Sequence, residues 1–483
     1  MTRHMHPHPS RRSALRAGGA LAAGTVLPVA ASDVADAQIR RSDPAAAARA
    51  AWSRLPDILD RIRPPRFPDR WFDITQYGAV GDGTTKNTAA IRAAITACHR
   101  AGGGHVLVPA GRFVTGAIHL RGGVDLHVSE GGILAFSPDP ADYLPAVLTR
   151  WEGTECWNYS PFVYAHNQRG VAVTGEGILD GQARRGPWES WYRTGTLQGP
   201  DQRLLRKMGS EGVPVKDRLF GAGHYLRPKM VQFNRCRDVL ISDLTIVDPP
   251  MWTVHPVLCT NVTVRNITVE SLLHNTDGVD PEASRLVHIT GCRFNTNDDC
   301  VAVKAGRDED GHRVGVPSED IVVQDCDFSG RWGGITVGSE MSGGVRRVFA
   351  EDCRINPPDF PGHYPVKYPV YLKASKKRGG FVDGVYVRRF SGQAVEREVL
   401  FVNMDYNGGE GGTHPVSVRD IHLSHCRIDG ARAVLRLVGL ETDRLRGVHL
   451  AHCDFTGVRG PDAVAFTEGL TRRRVTVNGV EVS

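Results

Sequence analysis

The chain has 483 residues, 59 Lys and Arg against 53 Asp and Glu, and a formal net charge of +6. No basic run is interleaved with aromatic residues on a recognisable binding motif, which argues against a nucleic-acid partner. Beyond the N-terminal region no segment is long and apolar enough to span a membrane.

In chain order, Ser10-Arg11-Arg12 and Arg16 precede an Ala/Gly/Leu/Val run from Ala17 to Ala31, and Ala35-Asp36-Ala37 supplies small residues suited to cleavage. Residues 1–37 therefore read as a twin-arginine export signal, and the mature protein is expected to be periplasmic or secreted. Removing them takes away four arginines and two aspartates, which leaves +4. That mild excess suits an acidic polymer as well as it suits a solvated surface. Residues 38–70, with Ala-rich and Pro-rich portions, read as a leader or linker, and residues 71–483 as one elongated domain, expected to be a monomer. Asn87 is placed to cap a helix whose Ile91, Ala94, Ile95 and Cys98 share one face and which ends at Gly102-Gly103-Gly104. Such a helix is suited to cover the open end of a stack of strands. Asp82-Gly83 reads as a turn, since no Gly-Lys-Ser/Thr follows it.

From there the chain repeats itself. Arg237-Asp-Val-Leu-Ile-Ser-Asp-Leu-Thr-Ile246 is matched by Thr260–Val269, Arg285–Phe294, Glu319–Phe328, Arg346–Ile355, Arg419–Ile428, Arg446–Phe455 and Arg473–Val482. Val239, Val262, Val287, Ile321, Val348, Ile421, Val448 and Val475 mark the shared position, and the long interval from 348 to 421 has room for a further copy around Val385. Each copy alternates apolar and polar residues, as in a strand with one buried face. Turns too short for a helix then predict an all-β fold, a right-handed parallel β-helix with a short N-terminal capping helix. Cys292, Cys326, Cys353, Cys426 and Cys453 share one phase of the repeat and should form an internal column of small apolar side chains. Cys98, Cys156, Cys236, Cys259 and Cys300 are left open, with a disulfide possible among them.

Asn275-Thr-Asp277-Gly and Asn297-Asp298-Asp299 fall 298 − 277 = 21 residues apart, about one coil. Asp298 lies 11 residues past its repeat marker and Trp332 lies 11 past the next, so both should occupy one corner of successive coils about 4.8 Å apart. Asp277, 15 past Val262, should sit slightly further round the preceding coil. Converging carboxyl groups push one pKa upward, and an acid paired with a base is what hydrolysis of a glycosidic bond requires.

On these residues the chain resembles the polygalacturonases, glycoside hydrolase family 28, over nearly all of residues 71–483. The stretches Gly223–Pro228, Trp252–Pro256, Gly306–Gly311 and Gly338–Gly344 resemble its bacterial, often exo-acting, branch. The resemblance implies an inverting hydrolase of a pectic polysaccharide with no metal or other cofactor. It implies Asp298 as general acid, Asp277 and Asp299 as the groups that hold and deprotonate water, and Lys373 as a ligand of a uronate carboxylate. Tyr406 and Asn275 are further candidate substrate contacts. Two positions depart from the family pattern. Trp332 stands where a histidine is usual, and Tyr371 stands where Arg-Ile-Lys has arginine. Loss of an imidazole and a guanidinium, with gain of two aromatic faces, points to a changed specificity such as a rhamnogalacturonan or substituted pectic chain. A polysaccharide lyase on the same architecture and a non-catalytic carbohydrate-binding β-helix are the alternatives.

Overall fold

The computed structural model describes residues 43–483; the expected export signal lies outside them. Parallel strands wind into a right-handed β-helix with three faces. On the first face Val239, Val262, Val287, Ile321, Val348, Val385, Ile421 and Val448 stand in register. Val385 supplies the copy missing from the long interval. The series closes differently from the sequence reading. Val448 pairs with Leu470, while Val475 pairs with Cys453, one corner further along. The last coil ends in an antiparallel pairing of Thr467–Val477 with Val480–Val482, so its Arg-x-Val motif belongs to the second face.

The corner between the first and second faces explains the polar residue or glycine that recurs before each phased cysteine. Asp243, Asn266, Gly291, Asp325, Asp352, Arg389, His425 and His452 all take the left-handed conformation there, with φ between 52° and 68°. Asp, Asn and Gly accept that region most readily. The next residue then turns inward, and the five phased cysteines are all buried. None of the ten cysteines is bridged, so no disulfide forms among the remaining five. Cys236 and Cys259 instead neighbour each other at another corner, each thiol directed at backbone carbonyls.

The helix Thr88–Arg100 caps the N-terminal end and buries Ile91, Ala94, Ile95 and Cys98. Asn87 does not cap it through its side chain. Its Oδ1 accepts from Val80 N at 2.7 Å and its Nδ2 donates to Thr85 O at 2.7 Å, tying down the preceding loop. The segment read as leader or linker holds two helices, Pro44–Ser53 and Leu55–Arg61. Leu55, Ile58 and Ile62 cover Leu286 and an outward apolar column of Val322, Phe349 and Tyr386, and Trp52 packs edge-on to Phe349 at 5.3 Å. Apolar residues at solvent-facing strand positions are what those helices bury.

Candidate active site

The third face carries the candidate site. Val254, Val279, Val301, Ile335, Val370, Leu400 and Leu435 point inward in register along it. The coil from Val279 to Val301 is 22 residues long (301 − 279), shorter than its neighbours. That interval sets Asp277 over Asp299 rather than round the corner from Asp298, and Gly278 N donates to Asp299 O at 3.0 Å. Asp298 is the next residue along the bend. Above it, Cys300 N donates to Gly333 O at 2.8 Å and Arg331 N to Thr296 O at 2.9 Å, which sets Trp332 one coil beyond Asp298, as the phase argument expects.

One carboxylate oxygen from each of Asp277, Asp298 and Asp299 lies within 4.8 Å of the others. Asp299 is fully buried and held at both oxygens. Its Oδ1 accepts from Gly333 N at 2.8 Å and its Oδ2 from Lys373 Nζ at 2.6 Å. The carboxylate of Asp298 is half-buried and its Oδ1 accepts from Asp299 N at 3.0 Å. Asp277 lies 3.8 Å from the Lys304 ammonium through Oδ2, and its Oδ1 has no protein partner among the described residues. Three clustered carboxylates are also a geometry that grips cations. Here two ammonium groups already stand against them, Lys373 on Asp299 and Lys304 beside Asp277.

Burial, and then the charge of Asp299, push the Asp298 carboxyl up to about 6. Asp277 is driven well above the ordinary carboxylate range by burial, then by Asp280 and Asp298. Asp280, buried beside it, is pushed up to about 7 by desolvation, against the pull of Lys304 and Lys229. Both Asp277 and Asp298 thus favour holding a proton. The two differ in access: Asp298 is half-buried, whereas Asp277 is 3% exposed.

An insertion walls the N-terminal side. The helices Trp188–Arg193 and Gln198–Ser210 pack beside the bend. Arg227 is fully buried beneath the Tyr192 ring at 4.7 Å and donates to Pro250 O, His274 O and Asn275 Oδ1. Asn275, in a left-handed turn at φ 59°, therefore turns its oxygen to Arg227. The hairpin Val147–Trp151 and Thr154–Asn158 covers the outward residues of the same side. It sets Arg150 3.4 Å from Glu282, which also meets His255 at 2.8 Å. On the opposite side lies an aromatic shelf. Tyr371 stacks on Phe401 at 5.1 Å with Tyr368 beside them, and Trp332 and Tyr406 pack against the group. The Lys367 ammonium sits 3.9 Å over Trp332, and the Lys373 ammonium stands 5.1 Å from the Tyr371 ring centre.

The family model described as "Glycosyl hydrolases family 28" matches residues 221–457, the stretch that holds every residue of the cluster. A second, "Rhamnogalacturonase A/epimerase, pectate lyase-like", matches residues 71–127 at the capped end. The structure is similar to that of a hyperthermoactive exopolygalacturonase from Thermotoga maritima, with TM-score 0.84 and 39% identity over 89% of this chain and 96% of that one. The chain belongs to glycosyl hydrolases family 28. Among relatives in sequence, a probable polygalacturonase of Vitis vinifera is 30% identical over 65% of this chain, and an exo-poly-alpha-D-galacturonosidase of Dickeya chrysanthemi 25% identical over 70%. The chain spans 59% and 58% of the length of those two proteins.

Sequence reasoning missed several groups that shape this family 28 site. Lys304 reaches Asp277, Asp280 and Glu340 at 3.8, 3.6 and 3.4 Å, under the Trp252 ring at 4.4 Å. Lys229 lies over the other flank of Trp252 at 4.0 Å, its pKa brought down to about 8 by burial. Glu340, held by Lys304 and Arg307, completes the charge balance. A lysine directly after the strand Val301–Val303, bridged to Glu282 of the preceding coil, was the available signal. No helix among the described residues is long and apolar enough to cross a membrane.

Proposed function

We propose that this protein is an exported, inverting glycoside hydrolase that removes units from the end of a galacturonate-containing chain. Asp298, protonated below about pH 6, delivers its proton to the glycosidic oxygen. Asp277 and Asp299 hold a water against the anomeric carbon, and Asp299, fixed by Lys373 and Gly333, accepts its proton. The observation that carries this reading is the convergence of the three carboxylates with a lysine on one of them, while Asp298 alone of the three is only half-buried. Separation by itself does not identify the stereochemical course. Oxygens within 4.8 Å are closer than the roughly 6.5–9.5 Å between carboxyl groups usual in inverting enzymes. Inversion rests on the family resemblance.

The inserted helices and the Val147–Asn158 hairpin close the N-terminal side of the site, which supports action from a chain end. The similarity to exo-acting proteins from Thermotoga maritima and Dickeya chrysanthemi points the same way. The Lys373 ammonium would meet a substrate carboxylate, and half-buried Trp332 would offer its ring to a sugar, while Tyr371, 5% exposed, supports the shelf from within. Reducing ends released from homogalacturonan, rhamnogalacturonan and xylogalacturonan, followed by NMR of the product anomer, test the proposal. Monomer of inverted configuration is the expected result, abolished in Asp298→Asn without loss of folding. Products absorbing in the ultraviolet would identify a lyase, and binding without bond cleavage across the panel would identify a lapsed enzyme.

A further inference from the structure

A second cluster lies on the first face, across the coil from the carboxylates just described, and on the last coils. His422 and His449 are paired residues of adjacent strands, in an outward column that runs Tyr386, His422, His449, Thr471. Their rings lie 4.7 Å apart, His422 stacks on Tyr386 at 5.0 Å, and both histidines are buried. Asp420 joins them from the same strand as His422.

The column that holds Asp420 sharpens the point. Each coil has a left-handed residue here, among them Asp238, Asn261, Asp320, Arg347, Gly384, Asp420 and Gly447. Lower in the stack the side chains satisfy one another along the column, Asn261 on Asp238 at 2.7 Å and Arg347 on Asp320 at 2.6 Å. Asp420 stands between Gly384 and Gly447 in this column. A methyl group on Gly447 would lie 3.1 Å from Asp420 Oδ1 and 3.1 Å from His449 Nε2, so both atoms border the space that glycine leaves. The other nitrogen of His449, Nδ1, is 2.8 Å from Thr471 Oγ1. With Thr471 accepting, that contact puts the proton on Nδ1 and the lone pair of Nε2 towards Asp420.

One ligand atom from each of Asp420, His422 and His449 lies within 4.8 Å of the others. We propose that these three residues form a binding site for a first-row divalent transition metal ion, Zn2+ being the best fit, that clips together two adjacent coils near the C-terminal end of the β-helix. Two imidazoles and one carboxylate are the donor set zinc takes, and an imidazole ligand whose second nitrogen is anchored is the usual arrangement. Bonds of about 2.0–2.1 Å to a tetrahedral ion would draw the three atoms inward by roughly 1 Å, which side-chain rotation supplies. The two strands joined, Val416–Ser424 and Leu445–Val458, end the stack where only one further coil follows, so a clip there restrains fraying.

The test uses the full chain, free of any histidine tag and stripped of metal, titrated with Zn2+ or Co2+ alone. One equivalent is expected to bind, with the visible band of Co2+ bound by nitrogen and oxygen and with a rise in Tm. Release of reducing ends should not change, because the site lies on another face. His449→Gln and Asp420→Asn should each abolish saturable binding and the Tm rise; Asn tolerates the left-handed backbone at 420, so that variant keeps the fold. Thr471→Val should weaken binding about 10–100-fold by freeing the ring. Absence of saturable Zn2+ binding in the wild type, or binding retained in Asp420→Asn and His449→Gln, would overturn the proposal.

Discussion

Lys373→Met is the substitution that separates two jobs one side chain could do. The Lys373 ammonium is 2.6 Å from Asp299 Oδ2, with side chains 10% and 0% exposed, so the pair is shielded from water. Methionine keeps the stem and removes the charge, leaving the Asp299 carboxylate with Gly333 N as its one hydrogen-bond donor among the described residues. Breaking a buried pair on one side costs about 3–5 kcal/mol of stability. A hydrogen bond to a charged group contributes about 1.5–3 kcal/mol, and if it serves the reacting form of Asp299 its loss lowers kcat roughly 10–150-fold. Lys373 also lowers the pKa of Asp298, so the alkaline limb of the pH profile should move upward in the variant. The assay is steady-state release of reducing ends from polygalacturonate across pH 4–9 (about ten points), with Tm measured alongside. A fall in kcat with a displaced limb assigns Lys373 to positioning Asp299. A rise in KM at constant kcat assigns it to binding a substrate carboxylate alone, and that result would refute the argument from the pair.

Four further outcomes are expected. The wild-type kcat/KM should fall about tenfold per pH unit above roughly pH 6, as Asp298 loses the proton it must donate; a flat profile to pH 8 removes it as the acid. Asp280 is a carboxyl whose folded pKa of about 7 exceeds its unfolded one, so its linked contribution to stability is present in acid and is lost as pH rises through about 7. Asp280→Asn should therefore raise Tm more at pH 8 than at pH 5, and an equal effect at both would contradict the assignment. Trp332→Ala takes away one face of the aromatic shelf and should raise KM by about 2–10-fold with little change in kcat, measured on the best substrate of the panel. Trp52→Ala removes the ring wedged between Phe349 and the Arg388 guanidinium, 3.8 Å away, and should expose residues 44–61 to limited proteolysis while the β-helix stays intact.

The coil itself was legible because one apolar position returns through eight copies, and a strand with a buried face cannot hide its period of two. The cysteine column and the buried face of Thr88–Arg100 were readable for the same reason. What the sequence did not show depends on three-dimensional register. The short 22-residue coil slides Asp277 onto Asp299, and no alternation of residue types announces a coil's length before its partner is known. Lys304, Asp280 and Glu340 were invisible as a group because each looks like an ordinary strand or turn residue until the columns stack. The helices at residues 44–61 were hidden by their Ala- and Pro-rich composition; their packing partners are outward residues of strands hundreds of positions away. The final copy was misphased because both corners of the coil accept an inward valine, so the motif alone could not say which corner it occupied.

The ten unbridged, sequestered thiols carry one last consequence. Maturation of this chain requires no oxidant and no isomerase to sort partners, since the sulfur atoms serve only as small apolar filling. The polypeptide can reach its final shape in a reducing cytosol and keep it in an oxidising exterior. Recombinant material made inside the cell should accordingly melt at the same temperature with or without dithiothreitol.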